Sequence, residues 1–368
     1  MSKIANVNVI LLLRIINCIS MKIAKISVVL CFLLFFKSHL NAQVLERDTL
    51  FSTVLNEKRP ISILLPKNFE SDKIEKYSVL YLLDGAENME SVTALVNYLS
   101  KKRFSRLPNL VIVAISNTHR TRDLTPLLST AVDARSSTYS NSGGLADFTT
   151  FIETELVPHI NSKIANSGFN ILVGHSFGGL AATHIMMNKP DLFNGFILID
   201  PSYWWDNAST LPKLNTYLNA DQASNKNIYL ALANNVVYST QELVHKEHFN
   251  EIETVGKEYL PNSKMNKNQW KFKFYADDDH GTIPVPALYD GLKFLFKEID
   301  LPMKEIIKNP ILLEDCYSNL AKQLHCDIVP SRRTFIDLIA FANSRGEIEN
   351  AKKFEEMALK YYKNTMIN

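Results

Sequence analysis

The sequence has little net charge, few cysteines and no long apolar run, and each of these features limits the classes of function that the protein can have. The formal net charge is +2 over 368 residues. Five basic residues and no acidic one fall within the first 42 positions, so the rest of the chain is slightly acidic. A balance this close to neutral gives no reason to expect nucleic acid or an anionic membrane surface as a partner.

Motifs for cofactors and metals are also missing. The chain contains no P-loop, no dinucleotide-binding glycine pattern and no zinc-ligand spacing. We therefore predict neither a cofactor nor a bound metal. Of the four cysteines, two lie in the N-terminal apolar runs, and Cys316 and Cys326 remain. An exported compartment would permit a disulfide between these two, and neither is expected to be catalytic.

The first 42 residues predict export. Two apolar runs, Val7–Ile19 and Ile26–Phe36, are shorter than the roughly 20 residues that a membrane span needs. The second run follows two lysines and precedes Leu40-Asn41-Ala42, which is the arrangement of a secretory signal peptide. We interpret Met21 as the true start, with cleavage after Ala42. A secreted or periplasmic protein without a stable membrane span is expected, and an uncleaved anchor is the alternative.

The most informative stretch runs from Ile171 to Gly179. A short aliphatic run ends in Gly174-His175-Ser176-Phe177-Gly178, and a helical pattern follows at once. The motif G-x-S-x-G between a strand and a helix is typical of a nucleophile elbow, in which the serine occupies a strained turn and the glycines leave room beside it. We therefore predict Ser176 as a nucleophile. A glycine-rich strand-to-helix turn without chemistry is the alternative.

Apolar runs alternate with helical segments along most of the chain. Continuous apolar runs are typical of strands that are covered on both faces, and they occur at Tyr77–Leu83, Leu110–Ile115, Ile171–Val173, Gly195–Ile199 and Ile228–Ala233. This alternation predicts an α/β fold with a mostly parallel central sheet and helices on both faces. The functional site of such a sheet lies at the carboxyl ends of its strands. Five residues follow strand ends: Asp84, Asn117, Ser176, Tyr203 and His280.

The two ends of the mature chain depart from this pattern. Asp48–Leu55 and Arg59–Leu65 predict an opening antiparallel pair. Arg333–Ser344 and Glu347–Lys363 predict two helices of tetratricopeptide type, although one repeat is too few for a stable array. We predict three parts: a signal peptide at 1–42, the α/β domain at 43–302 and a packed helical extension at 303–368. A protein-contact surface on the extension is the alternative to a simple cap.

These segments resemble the putative-esterase family of α/β-hydrolases, which includes esterase D, siderophore esterases and mycolyl transferases. The resemblance is carried by Tyr81–Gly85, Asn117–Pro126, Gly174–Gly179 and His280–Pro284, and it covers roughly Glu46–Asp300. It implies the α/β-hydrolase fold and an exported serine carboxylesterase that acts through an acyl-enzyme on a siderophore or acylated-carbohydrate ester. Acyl transfer to a sugar or another alcohol is the nearest alternative. A non-catalytic binding protein on the same scaffold is the alternative from another class.

The resemblance also implies a base and an acid. His280 follows the last predicted strand, where the hydrolase order Ser…acid…His places the base. The acid should follow the strand Ile228–Ala233, but the residues directly after it contain no carboxylate. We predict Glu242, the first carboxylate beyond that strand. The alternatives are Glu251, Asp206, or a serine–histidine pair without an acid.

The remaining site residues concern the oxyanion and the substrate. The backbone N–H of Phe177, directly after the nucleophile, is expected to be one oxyanion donor. The resemblance to mycolyl transferases implies that Ala86 supplies the other. Substrate contacts are predicted for four side chains near strand ends: His119, Arg122, Tyr203 and Trp204. Ion pairing within the loop for the arginine, and burial for the two aromatic residues, are the alternatives.

Overall fold

The computed structural model describes residues 43–362 except 68, 70–73, 101–106, 127–138, 140, 236–241 and 300–301, and except the side chains of 242–245. Eight strands are formed within these residues: β1 Leu45–Ser52, β2 Glu57–Leu64, β3 Tyr77–Leu82, β4 Leu110–Ile115, β5 Asn166–His175, β6 Gly195–Ile199, β7 Asn227–Ala233 and β8 Trp270–Tyr275. The predicted signal peptide at 1–42 lies outside the described residues. None of the helices in the described part is long and apolar enough to cross a membrane.

The eight strands form one sheet in the order β1-β2-β4-β3-β5-β6-β7-β8. β2 is antiparallel to both of its neighbours, β1 and β4. All the other neighbouring strands are parallel. The predicted mostly parallel sheet and the opening antiparallel pair are therefore confirmed. Because β3, β5, β6 and β7 are adjacent and parallel, their carboxyl ends meet at one edge of the sheet.

Helices cover both faces of this sheet. The α-helices before β8 are α1 Gly85–Leu99, α2 Arg120–Leu124, α3 Leu145–Phe151, α4 Val157–Lys163, α5 Phe177–Asn188, α6 Trp205–Ala208, α7 Thr210–Leu218 and α8 Glu242–Thr254. After β8 come α9 Pro284–Leu295, α10 Met303–Ile306, α11 Ile311–Leu324, α12 Arg332–Ser344 and α13 Ile348–Tyr362. Short π-helical segments lie at Ile152–Leu156 and Val255–Tyr259, and 3₁₀ turns lie at Asp221–Asn225 and Lys297–Ile299.

Alternate residues of the central strands supply two separate apolar cores. In β3, Tyr77, Val79 and Tyr81 join the cluster on one face, while Leu80 and Leu82 join the cluster on the other. All six residues of this strand are buried. A strand covered on both sides has no polar face, which explains why its sequence is a continuous apolar run.

The C-terminal helices pack on one face of the same sheet. Tyr317 of α11, Phe335 of α12 and Phe354 of α13 belong to the same hydrophobic cluster as Leu80. α12 and α13 form the predicted helix pair, and Gly346 between them has a φ of +78°. The extension is therefore part of the core. Cys316 and Cys326 are both free thiols, and the tetratricopeptide likeness stays a prediction.

Candidate active site

The predicted nucleophile occupies a strained turn between β5 and α5. Ser176 has φ 58° and ψ −119°, a backbone conformation that residues other than glycine rarely adopt. A Cβ on Gly174 would overlap the carbonyl group of Gly178, so the first glycine of the motif cannot be replaced without moving the helix. The backbone N–H of Ser176 donates to the carbonyl of Ile199 at 3.0 Å. This strand-to-helix geometry is that of a nucleophile elbow.

A second serine contacts the first. Ser202, which follows β6, donates its backbone N–H to the carbonyl of Ser176 at 3.0 Å. The two hydroxyl oxygens lie 3.2 Å apart, and Ser202 is buried. Residues after β6 therefore lie directly beside the elbow, as expected for two neighbouring parallel strands.

The predicted base contacts a carboxylate. His280, in the turn after β8, has its Nδ1 2.6 Å from Oδ2 of Asp200. Asp200 is fully buried, whereas the His280 side chain is 41% exposed. An ionised carboxylate only accepts hydrogen bonds, so Nδ1 of His280 carries the proton. Its other ring nitrogen, Nε2, is then left with a lone pair that can accept a proton.

The carboxylate of Asp200 is held by four donors. Oδ1 accepts the backbone N–H of Ala233 at 2.9 Å. Oδ2 accepts from Asn235 Nδ2 at 2.9 Å and from His248 Nε2 at 2.9 Å, as well as from His280. Burial opposes the charged form, but the hydrogen bonds from His248 and His280 hold the pKa of Asp200 below its ordinary value. Asp200 is therefore a buried anion that is fully paired.

This arrangement corrects the predicted acid. The carboxylate on His280 is Asp200, at the end of β6, and not a residue beyond β7 as expected for Glu242. The side chain of Glu242 lies outside the described residues. Glu251 has one buried carboxylate oxygen without a partner among the described residues. Asp206 lies in α6, with φ 51°.

The signal for Asp200 is present in the sequence. Asp200 directly follows a fully buried strand, β6. β6 is the immediate neighbour of β5, which ends at the nucleophile, so its carboxyl end is as close to the site as that of β7. The position after β7 is occupied by Asn235, which donates to Asp200 and accepts the backbone N–H of His280 at 2.7 Å. An amide there connects the acid to the base.

Two further histidines surround His280. The ring of His175, the residue before the nucleophile, lies 4.4 Å from the ring of His280 between centroids. Burial, with the nearby charge of His280, lowers the pKa of His175 to about 4, so this ring is neutral near pH 7. His248 meets His280 edge to face at 5.7 Å. These contacts fix the plane of the His280 ring beside the elbow.

The cluster around Asp200 has the composition of a possible metal site. The potential ligand atoms of Asp200, His248 and His280 lie within 4.8 Å of one another. Two ligands of one tetrahedral ion lie roughly 3.3 Å apart when each is about 2.0 Å from the metal. The contacts to Asp200 Oδ2 are 2.6 and 2.9 Å, which are hydrogen-bond lengths. The geometry is that of two imidazoles bonded to one carboxylate.

The loop after β3 lies against the first turn of α5. Asp84 has φ 54°, and a Cβ on Gly178 would lie 3.3 Å from its Oδ2. Arg120 binds the Asp84 carboxylate through Nε at 2.7 Å and Nη2 at 2.9 Å, and Asn117 Nδ2 donates at 2.6 Å. This ion pair anchors the start of α1, where Ala86 is the second residue.

Arg122 does not meet the expectation of a substrate contact. Its Nε donates to Asp123 at 2.7 Å, and its two terminal nitrogens donate to Glu57 at 2.9 and 3.2 Å. These hydrogen bonds lower the pKa of Glu57 to about 2. All three guanidinium nitrogens are thus bound to carboxylates, which is the alternative of ion pairing within the loop.

The two aromatic residues that are predicted to contact substrate differ in their burial. Tyr203 is fully buried, and its hydroxyl lies 3.0 Å from Oγ1 of Thr183, so the prediction that it contacts substrate is wrong. Trp204 is partly exposed and lies near the rings of Phe177 and Tyr139, at 5.8 and 6.3 Å between centroids. It also packs against the hydrophobic cluster on that face of the sheet, and its contact with substrate stays a prediction.

His119, the other predicted contact, is exposed at the start of α2. It immediately precedes Arg120, whose guanidinium lies 5.5 Å from the centroid of the Phe177 ring. A role for His119 in substrate binding stays a prediction.

Comparison with known proteins now bears on this geometry. The family model described as "Putative esterase" matches residues 52–281, which is well over half of the chain and runs from the last residue of β1 to just beyond His280. The chain belongs to this family. The esterase is, as the resemblance implies, a carboxylic ester hydrolase with the α/β-hydrolase fold.

Individual relatives agree with this assignment. The esterase is 25% identical over 249 residues to the siderophore enterobactin esterase of Emericella nidulans, covering 59% of this chain and 82% of the relative. It is 28% identical over 191 residues to the ferri-bacillibactin esterase BesA of Bacillus subtilis, covering 48% and 66%. Among solved structures, an IroE-like serine hydrolase from Shewanella oneidensis aligns with a TM-score of 0.77 and 28% identity. That alignment covers 87% of this chain and all of the other.

Proposed function

We propose that this protein is an exported esterase that hydrolyses a small siderophore-type ester through an acyl-enzyme on Ser176. The observation that carries the proposal is the hydrogen bond between His280 and Asp200 beside a strained serine turn. That hydrogen bond and the chain order Ser176, Asp200, His280 support a Ser-His-Asp triad. Export rests on the signal-peptide pattern of residues 1–42.

The proposed mechanism depends on which ring nitrogen of His280 carries the proton. Nδ1 of His280 donates to Asp200, which leaves Nε2 to take the proton of the Ser176 hydroxyl as Oγ attacks the ester carbonyl. The new imidazolium is stabilised by the Asp200 carboxylate. It then gives its proton to the leaving alcohol as the carbon–oxygen bond breaks. Water repeats the sequence on the acyl-enzyme and releases the acid and the free Ser176.

The oxyanion formed in each attack needs two backbone donors. Phe177 is the first residue of α5, so its N–H is not used within the helix, and the helix dipole adds positive potential there. Ala86, in the first turn of α1, is the proposed second donor. Two observations support this pairing of the two helix starts: the Asp84–Arg120 ion pair, and the position of Asp84 Oδ2, which a Cβ on Gly178 would approach to 3.3 Å.

Aromatic side chains near the nucleophile support a substrate with a ring. Phe177, Trp204 and Tyr139 form a connected cluster next to it, with ring centroids 5.7 to 6.3 Å apart. Phe177 is buried, whereas Trp204 and Tyr139 are partly exposed and can stack on a flat group. The names of the two curated relatives, both siderophore esterases, favour the same substrate class. An acylated carbohydrate would be the other ester to test.

The test combines labelling with a substrate panel. A fluorophosphonate probe should label the purified protein, and the label should vanish in Ser176→Ala and weaken strongly in His280→Ala. Hydrolysis should then be measured on p-nitrophenyl esters of graded length, feruloyl and acetyl sugars and ferric catecholate lactones. Preference for the lactones supports the proposal. A folded protein that neither reacts with the probe nor hydrolyses any ester would instead be a binding protein.

A further inference from the structure

The carboxylate of Asp200 serves two histidines, and only one of them lies where the reaction needs a base. Both imidazoles contact the same oxygen, Oδ2, at 2.6 Å for His280 and 2.9 Å for His248. The His280 side chain is 41% exposed at the site, whereas that of His248 is 6% exposed on α8. His248 therefore does not reach substrate.

The surroundings of His248 fix its proton. Asp200 is ionised and accepts only, so Nε2 of His248 must carry the hydrogen. Its Nδ1 is buried and has no hydrogen-bond partner among the residues that the structure describes. The hydrogen bond to Asp200 therefore fixes the orientation of the His248 ring, with Nε2 as the donor.

We propose that His248 is a positioning residue, which donates its Nε2–H to Asp200 and so divides the negative charge of that carboxylate between two rings. The proposal rests on the function proposed above. Each donor on Oδ2 reduces what the carboxylate offers the imidazolium of His280. With His248 present, His280 therefore gives up its proton more readily, and the enzyme keeps a neutral base at lower pH.

The other groups near His280 leave this role to His248. Titratable or charged groups face its ring from two strand ends, from α8 and from its own turn: His175, Asp200, His248 and Asp279. His175 is neutral near pH 7, and Asp279 is a partly exposed carboxylate whose Oδ1 accepts the backbone N–H groups of Gly281 and Thr282. Asn235 also donates to Oδ2, but its amide does not titrate.

Two substitutions separate the N–H donor from the bulk of the ring. His248→Gln places an amide nitrogen close to the position of Nε2, so it preserves the hydrogen bond to Asp200. His248→Leu keeps an apolar side chain and removes the donor. The measurement is kcat/KM against pH from 4.5 to 9 on a p-nitrophenyl ester, with thermal unfolding and the fraction labelled by a fluorophosphonate probe as folding controls.

The acidic limb of the profile should move to higher pH by about 0.5–1 unit in His248→Leu, because the loss of one donor strengthens the attraction between the Asp200 carboxylate and the His280 imidazolium. His248→Gln should keep the wild-type limb. An unmoved limb in His248→Leu, or an equal shift in both variants, would overturn the proposal. If Ser176→Ala or His280→Ala retained full activity, the proposed function would fail instead.

A second measurement needs no variant of His248. Nitrogen-15 NMR of the unsubstituted protein at pH 7 should report a proton on Nε2 of His248. An unprotonated Nε2 would refute the proposal, even if His248→Leu failed to fold.

Discussion

The backbone N–H of His280 donates to the side-chain oxygen of Asn235 at 2.7 Å, while the amide nitrogen of the same Asn235 donates to Asp200 at 2.9 Å. One buried side chain therefore fixes the distance between the proposed base and the proposed acid. Asn235→Ala removes both bonds and should lower kcat about ten- to a hundredfold, with little change in KM. The matched control is Asn234→Ala, whose side chain binds the carbonyl of Ala276 instead.

Steady-state kinetics on a p-nitrophenyl ester check this prediction. An Asn235→Ala enzyme with wild-type kcat would show that Asp200 and His280 hold their positions without the amide. A loss of equal size in Asn234→Ala would indicate a general effect of the loop after β7.

Asp200 itself should be the most sensitive carboxylate of the site. Asp200→Asn removes the anion that fixes the His280 tautomer and stabilises the imidazolium, so kcat should fall about 10²–10⁴-fold. Glu242→Ala, at the position expected from the sequence, should keep kcat within about twofold of wild type. The same two enzymes, compared at saturating substrate, decide between the two acids. The reverse order of effects would restore Glu242 and remove Asp200 from the mechanism.

The contrast between these two carboxylates shows how far sequence alone can go. Ser176 is predictable because it follows a buried apolar run and lies in a local motif with a strict geometric cause, and His280 because it follows the last strand of the sheet. Asp200 also follows a buried apolar run. The sequence does not single it out, because which strand end faces the histidine depends on how β5, β6 and β7 lie side by side, and spacing along the chain does not contain that information.

Burial sets the other limit. Tyr203 and Trp204 are adjacent in sequence and both follow β6, yet one is fully buried and the other is partly exposed. Their separation depends on the helices that pack above the strand end. No pattern within the segment itself distinguishes an aromatic residue that faces inward from one that faces substrate.

The Asp84–Arg120 pair should stabilise the fold as well as the oxyanion loop. Asp84 is buried, so Arg120→Ala leaves its carboxylate with only the amide of Asn117. We expect a loss of about 2 kcal/mol in the free energy of unfolding. The control is Arg333→Ala, which breaks an exposed pair with Asp337 and should cost about 0.5 kcal/mol or less.

Urea unfolding followed by tryptophan fluorescence measures both variants. The rate of labelling by a fluorophosphonate should also fall in Arg120→Ala, because the loop that carries Ala86 loses its anchor. Equal stability of the two variants would mean that the ion pair has no structural weight.

Glu251 should make the stability depend on pH. Burial, with the nearby charge of Glu247, raises its pKa to about 7 from an ordinary 4.5. The folded state then holds the proton more tightly than the unfolded state, so the free energy of unfolding falls as pH rises from about 4.5 to about 7. Glu251→Gln should match wild type near pH 5 and be more stable at pH 8.

Unfolding by urea at four values between pH 5 and pH 8 provides the comparison. Glu258→Gln, at an exposed position farther along the chain, should leave the pH dependence unchanged. A constant difference between wild type and Glu251→Gln at every pH would contradict the raised pKa.

The shared core of α11 to α13 and the sheet has a practical result for anyone who trims this protein. A truncation at residue 302 would keep the whole family match, which ends at residue 281. It would nevertheless remove Tyr317, Phe335 and Phe354 from the cluster that contains Leu80. The remaining fragment would expose an apolar surface to water and should accumulate in inclusion bodies. Shortened versions for crystallisation or assay should therefore keep the chain through Tyr362.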